Sequence, residues 1–222
     1  MKSLVEYIQE SLEKDQYLSE SIKRLSGHTG IIVFDIDDTL LKANPKAVSI
    51  YKKEPGKLAQ KLSTEEFAKD PDAADPSKRS WFDYREFNDP IKVYDSIVSG
   101  TPIIKNLRIL DSYVNAGYDF CFLTARSCES VVKSALEEFL MVRDKDGRLK
   151  KLQDEFKKNL SHAVNDNIKS YPGSTDAEKK ANILRKMCDK YDRVVFVDDD
   201  EKNVKSARQL GLKNLKVIKA QK

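Results

Sequence analysis

Hydrophobic residues change rhythm along this chain, and the changes divide it into elements. Over residues 3–25, Leu4, Ile8 and Leu12, then Leu18, Ile22 and Leu25, recur every three or four positions among charged residues, predicting an amphipathic helix. Ser26-Gly27 and Thr29-Gly30 close it. Ile31-Ile32-Val33-Phe34 is then short, continuous and β-branched, the pattern of a strand buried on both faces of a parallel sheet. Phe120–Leu123 and Arg193–Val197 repeat it, and Leu215–Ala220 predicts a last strand. Pro102 opens a helix with apolar Ile103, Ile104, Leu107, Ile109, Leu110 and Val114, stopped by Asn115-Ala116-Gly117. Further helices are expected over residues 127–141, Ala177–Cys188 and Glu201–Leu210. Strand alternating with helix predicts an α/β doubly wound parallel sheet.

Residues 42–101 break this alternation. Pro45, Pro55, Pro71, Pro76 and Pro90 punctuate a polar stretch that reads as short helices and loops. The expected organisation is an N-terminal helix (1–28) and one domain (29–222), with a small, mostly helical insertion at 42–101 after the first strand. Residues 142–160 are charged, turn once at Asp146-Gly147, and read as a solvated helical face. A weak strand signal lies near His162–Asn165.

Composition narrows the function classes. The chain has 222 residues, 40% hydrophobic, enough for a packed core and against wholesale disorder. Its longest apolar runs, such as Ile31–Phe34 and Val194–Val197, fall far short of the ~20 residues that span a bilayer, so no membrane role is expected. The N-terminus shows no apolar leader or small-residue cleavage site, and Cys121, Cys128 and Cys188 form no CxxC. Those features predict a cytoplasmic protein with reduced thiols and no zinc site. With histidine only at His28 and His162, chemistry must rest on carboxylates, hydroxyls, Lys and Arg. The net charge of +4 permits a phosphate-bearing ligand without demanding nucleic acid.

Those residue types gather at strand ends. Asp35-Ile36-Asp37-Asp38-Thr39 follows the first strand, Thr124-Ala125-Arg126 the second and Asp198-Asp199-Asp200 the third. In an open α/β sheet the carboxyl ends of the strands form the ligand crevice. Acids gathered there repel one another unless a cation neutralises them, and oxygen donors without Cys or His suit a hard ion such as Mg²⁺. A single such acid would be an ordinary helix N-cap. Two clusters beside a Thr-x-Arg are harder to explain so.

VFDIDDTLL, FCFLTAR and VVFVDDDEKN resemble the first, second and fourth motifs of the haloacid dehalogenase (HAD) superfamily, and EKKANIL supplies Lys179 and Lys180 for the third. The motifs stand in the family's order over residues 31–203. The resemblance implies a Mg²⁺-dependent phosphomonoester hydrolase. In it Asp35 attacks phosphorus to give an aspartyl-phosphate, while Asp37 protonates the leaving oxygen and then activates water. It further implies Mg²⁺ held by Asp35, the backbone carbonyl of Asp37 and Asp199, with Asp198 behind them. Thr124 and a lysine, Lys180 in preference to Lys179, would meet the phosphoryl group. Asn203 would fix the loop after Asp199, Asp38 and Thr39 would orient their own loop, and Asp200 would cap or be solvated. Arg126 would either clamp a second phosphate or cap the sheet edge.

The insertion carries Trp81, Phe82, Tyr84, Arg85 and Phe87. Such aromatics stack on a base while an Arg grips a phosphate, or else they form the insertion's own core. SWFDYREFNDP and SGTPIIKNLRILDSYVNAGYDFCFLTAR are similar to the phosphatase half of phage-type polynucleotide kinase–phosphatases. The sequence holds no Gly-x-x-x-x-Gly-Lys-Ser/Thr loop, so no kinase half is expected in it. This implies a nucleotide or a nucleic-acid 3′-phosphate as substrate, bound by Arg126, Trp81, Phe87 and Arg85. The alternatives are a sugar-phosphate or small-metabolite phosphatase, and a non-catalytic binding protein on the same fold. The N-terminal helix packs on its own domain or docks a protein partner.

Overall fold

The computed structural model describes residues 29–126, 128–143 and 172–221. The expected N-terminal helix, the charged stretch beyond Arg143 and the strand signal at His162–Asn165 lie outside the described residues. Four parallel strands carry the core: β1 (Gly30–Phe34), β7 (Asp119–Phe122), β8 (Arg193–Asp198) and β9 (Leu215–Lys219), side by side in the order β7-β1-β8-β9. Strand β1 is central, with Ile31–Phe34 opposite Asp119–Phe122 on one side and Val194–Val197 on the other.

Both faces of that sheet are covered, which is why its strands read as unbroken apolar runs. Ile32 and Phe34 point with Phe120, Phe122, Val195 and Val197 into one cluster. It is closed by Leu107 and Leu110 of helix α3 (Ile104–Asn115) and by Leu136 and Phe139 of helix α4 (Glu129–Arg143). Ile31 and Val33 point the other way, with Cys121, Val194 and Phe196. Ile183 and Leu184 of helix α5 (Asp176–Lys190) and Ala207 of helix α6 (Glu201–Gln209) cover them. Each large β1 side chain so buried contributes roughly 1.5–3 kcal/mol. Gly30 serves the same packing: a Cβ there would lie 2.5 Å from the Tyr118 ring.

Caps explain where several helices start. Thr175 and Glu178 form a capping box at α5, Asp200 caps α6, and Asp89 with Pro90 opens helix α2 (Pro90–Val98). Pro102 does not open α3 as its position suggested. It pairs in a short antiparallel ribbon, β6 (Thr101–Pro102) with β2 (Leu41–Lys42), and the helix starts two residues later.

The insertion differs more from expectation. Beside short helical turns and helix α1 (Thr64–Lys69) it holds a three-stranded antiparallel sheet. Its strands are β3 (Ser49–Lys52), β4 (Gln60–Ser63) and β5 (Phe82–Asp83), in the order β4-β3-β5. Such short, polar strands give little periodic signal. Apolar support comes from Ile50, Leu62 and Phe82, packed by Phe67 and Trp81. Buried polar groups supply the rest: Lys52 donates to Asp70 and Asp72, and Glu86 accepts from the Ser49 N–H and the Tyr51 hydroxyl. Among the described residues no helix is long and apolar enough to cross a membrane.

Candidate active site

Backbone ladders bring three loops together at the carboxyl ends of β1, β7 and β8. The Asp35 N–H donates to Val197 O at 3.0 Å and the Leu123 N–H to Phe34 O at 2.8 Å, so each strand runs straight into its polar terminus. Carboxylate oxygens of Asp35, Asp198 and Asp199 thereby lie within 4.8 Å of one another. Lys180 reaches in from α5, whose buried face also carries Ala181, Ile183 and Leu184. Its Nζ donates to Asp35 Oδ1 and Asp198 Oδ2, both at 2.8 Å, and only 3% of the residue is exposed. Lys179, half-buried, makes neither contact.

Electrostatics follow from this burial. Loss of water pushes the Asp35 carboxyl up to about 7 against the pull of the Lys180 ammonium, and Asp198 and Asp37 push the same way. For Lys180 burial works against the charge, but Asp35 and Asp198 outweigh it and raise its pKa. Three carboxyl groups face one ammonium, and every donor is a hard oxygen. That set fits a divalent cation such as Mg²⁺. Asp198 is fully buried, its oxygens taking Lys180, the Asp200 N–H at 2.8 Å and both arms of a contact from Asn203 Nδ2 at 3.1 and 2.9 Å. Asp199 is less enclosed. Asp35 and Asp199 could thus hold an ion, while Asp198 is taken up by its own hydrogen bonds.

Several expected roles need correction. Asn203 grips Asp198 itself, not the loop after Asp199. Thr39 does not act locally: its hydroxyl donates to Asp199 Oδ1 at 3.1 Å and accepts from the Asp199 N–H at 3.0 Å. Asp200, by contrast, caps as expected, accepting from the Lys202 N–H at 2.7 Å. Arg126 neither caps a sheet edge nor presents an open fork. Its Nε and Nη2 donate to Asp37 Oδ2 and Oδ1 at 2.7 and 2.6 Å, and Nη1 donates to the Ser96 hydroxyl at 2.7 Å. Thr124, 2% exposed, accepts from the Arg126 N–H at 3.2 Å.

A cavity of about 400 Å³ opens beside Asp37, walled by Ala43, Val48, Val93 and Phe87 with Asn44, Ser96 and Arg126. It divides the expected substrate residues. Phe87 lines it, whereas Trp81 packs on the insertion's apolar cluster beneath the Lys78 ammonium. Arg85 is turned back onto Asp83 and the Tyr51 ring. Comparison with known protein families and with curated proteins finds no match to this chain.

Two residues that sequence reasoning passed over belong to the site's frame. Ser96 of α2 is 1% exposed and holds Arg126; nothing in the motif pattern marks it. Asn106 of α3 donates to Thr39 O at 2.7 Å and to Gln221 O at 2.9 Å, tying the loop after β1 to the C-terminal strand's exit. A buried Asn early in an otherwise apolar helix face was the available signal for it.

Proposed function

We propose that the chain is a Mg²⁺-dependent phosphomonoester hydrolase of the HAD type, working through an aspartyl-phosphate on Asp35. The observation that carries this reading is the buried meeting of Asp35, Asp198 and Asp199 with Lys180 at the ends of adjoining parallel strands. A protein that only binds would have little use for a nucleophile-sized carboxylate desolvated beside an ammonium.

Each side chain then has a defined task. Asp35 attacks phosphorus in line, and Lys180 favours the ionised form of the attacking carboxylate against its burial and faces the transferring charge. Thr124 offers its hydroxyl to the phosphoryl oxygens. Asp37 gives a proton to the leaving oxygen and then takes one from the water that opens the aspartyl-phosphate. Asp35, Asp199 and the backbone carbonyl of Asp37 would hold a Mg²⁺ ion, which would supply positive charge against the phosphate dianion.

The cavity beside Asp37 lies where the leaving group would sit. Its apolar walls and the Phe87 ring support a nucleoside as that group, in a nucleotide or at a nucleic-acid 3′-end. Purified protein should hydrolyse p-nitrophenyl phosphate with Mg²⁺ and lose activity in excess chelator. Asp35→Asn should abolish turnover with the fold retained; turnover undiminished by either change would refute the reading.

A further inference from the structure

Arg126 puts all three of its guanidinium nitrogens on two partners. Nε and Nη2 take the two oxygens of Asp37, and Nη1 takes the Ser96 hydroxyl. Ser96 sits on α2, whose Val93 and Ile97 pack into the parallel-sheet cluster, and its hydroxyl in turn donates to Val93 O at 2.8 Å. That donation fixes the hydroxyl proton, so a lone pair is left facing Arg126. The α2 backbone is tied down as well, because Ser96 O accepts the Asn44 N–H at 3.1 Å. A chain of contacts thus runs from the α2 backbone through Ser96 and Arg126 to Asp37, joining α2 to the strand-end loops.

A guanidinium held at one end is pre-organised at the other. With Nη1 anchored, the Nε/Nη2 edge has one orientation, and a bidentate carboxylate on it has one rotamer. Among the described groups, Asp37 carries this restraint while its side chain stays 46% exposed toward the cavity. Both Asp37 oxygens accept from that one edge of the guanidinium.

We infer that Ser96 is a positioning residue for proton transfer: through Arg126 it sets the orientation of Asp37, making helix α2 part of the acid–base apparatus. The inference rests on the reading of Asp37 as proton donor. It explains why a buried hydroxyl on α2 faces the arginine of the loop after β7.

The test compares p-nitrophenyl phosphate, whose leaving group needs little protonation, with phenyl phosphate, which needs much. Asp37→Ala should cut kcat/KM for phenyl phosphate about 10²–10⁴-fold and p-nitrophenyl phosphate far less. An equal loss on both would overturn the proton-donor reading, and the Ser96 inference with it. Given the expected Asp37 result, Ser96→Ala should lower kcat for phenyl phosphate about tenfold more than kcat for p-nitrophenyl phosphate, the worth of one hydrogen bond to a charged group. In an Arg126→Gln background the same change should have no further selective effect. Equal loss on both substrates, or a selective loss that persists without Arg126, would overturn the inference, since an unsettled helix α2 impairs every substrate alike.

Discussion

Lys180 and Asp35, 145 positions apart in the chain, meet at 2.8 Å in the protein interior, and Asp198 completes the pair from the neighbouring strand. Charges so buried are tolerated only together. Removing one partner leaves the others without compensation, a loss far larger than the net worth of the pair.

Lys180→Met should therefore lower stability by about 3–5 kcal/mol in denaturant unfolding and abolish phosphate release. Lys179→Met should leave both near wild type, because that neighbour makes neither contact. Equal effects of the two changes would remove Lys180 from its assigned place.

The raised Asp35 pKa has a signed consequence in metal-free protein. A carboxyl that holds its proton more tightly folded than unfolded favours the fold at low pH. That contribution is complete below the unfolded value of 3.8 and is lost as pH rises through about 7. In chelator, wild type should lose stability relative to Asp35→Asn between about pH 4 and about pH 7. Parallel pH profiles for the two proteins would contradict it.

Thr39 ties the loop after β1 to Asp199 by two hydrogen bonds. Thr39→Val keeps the shape and deletes both. Mg²⁺ activation curves should shift to about 10–100-fold higher concentration, the usual cost of losing a group that orients a metal ligand. An unchanged activation constant would separate Thr39 from the metal.

Phe87 and Trp81 should part company. Phe87→Ala should cost about 1–3 kcal/mol in kcat/KM for a nucleoside monophosphate and little for p-nitrophenyl phosphate, as a lost stacking surface does. Trp81→Ala should lower thermal stability and affect both substrates alike, since Trp81 packs against the insertion's core. A nucleotide-selective loss from Trp81→Ala would reverse the assignment.

The parallel sheet was legible because Ile31–Phe34 and Val194–Val197 are buried on both faces and so cannot be polar anywhere. The positions of Asp35, Asp198 and Asp199 were legible for a related reason: they are where those runs stop. What escaped the sequence depends on pairings that no local pattern encodes. Strands Ser49–Lys52 and Gln60–Ser63 have one or two apolar residues each and are held by Lys52 and Glu86 through partners up to 37 positions away. Arg126 looked like an open fork because Asp37 and Ser96, 89 and 30 positions distant, could not be seen to fill it.

The most direct measurement is the mass of the acid-quenched protein during turnover, with the modified peptide identified. Wild type with Mg²⁺ and p-nitrophenyl phosphate should carry one phosphoryl group on the peptide containing Asp35. The adduct should be absent from Asp35→Asn and from chelator-treated protein. A phosphoryl group found reproducibly on another residue, or wild-type turnover by Asp35→Asn, would contradict the account.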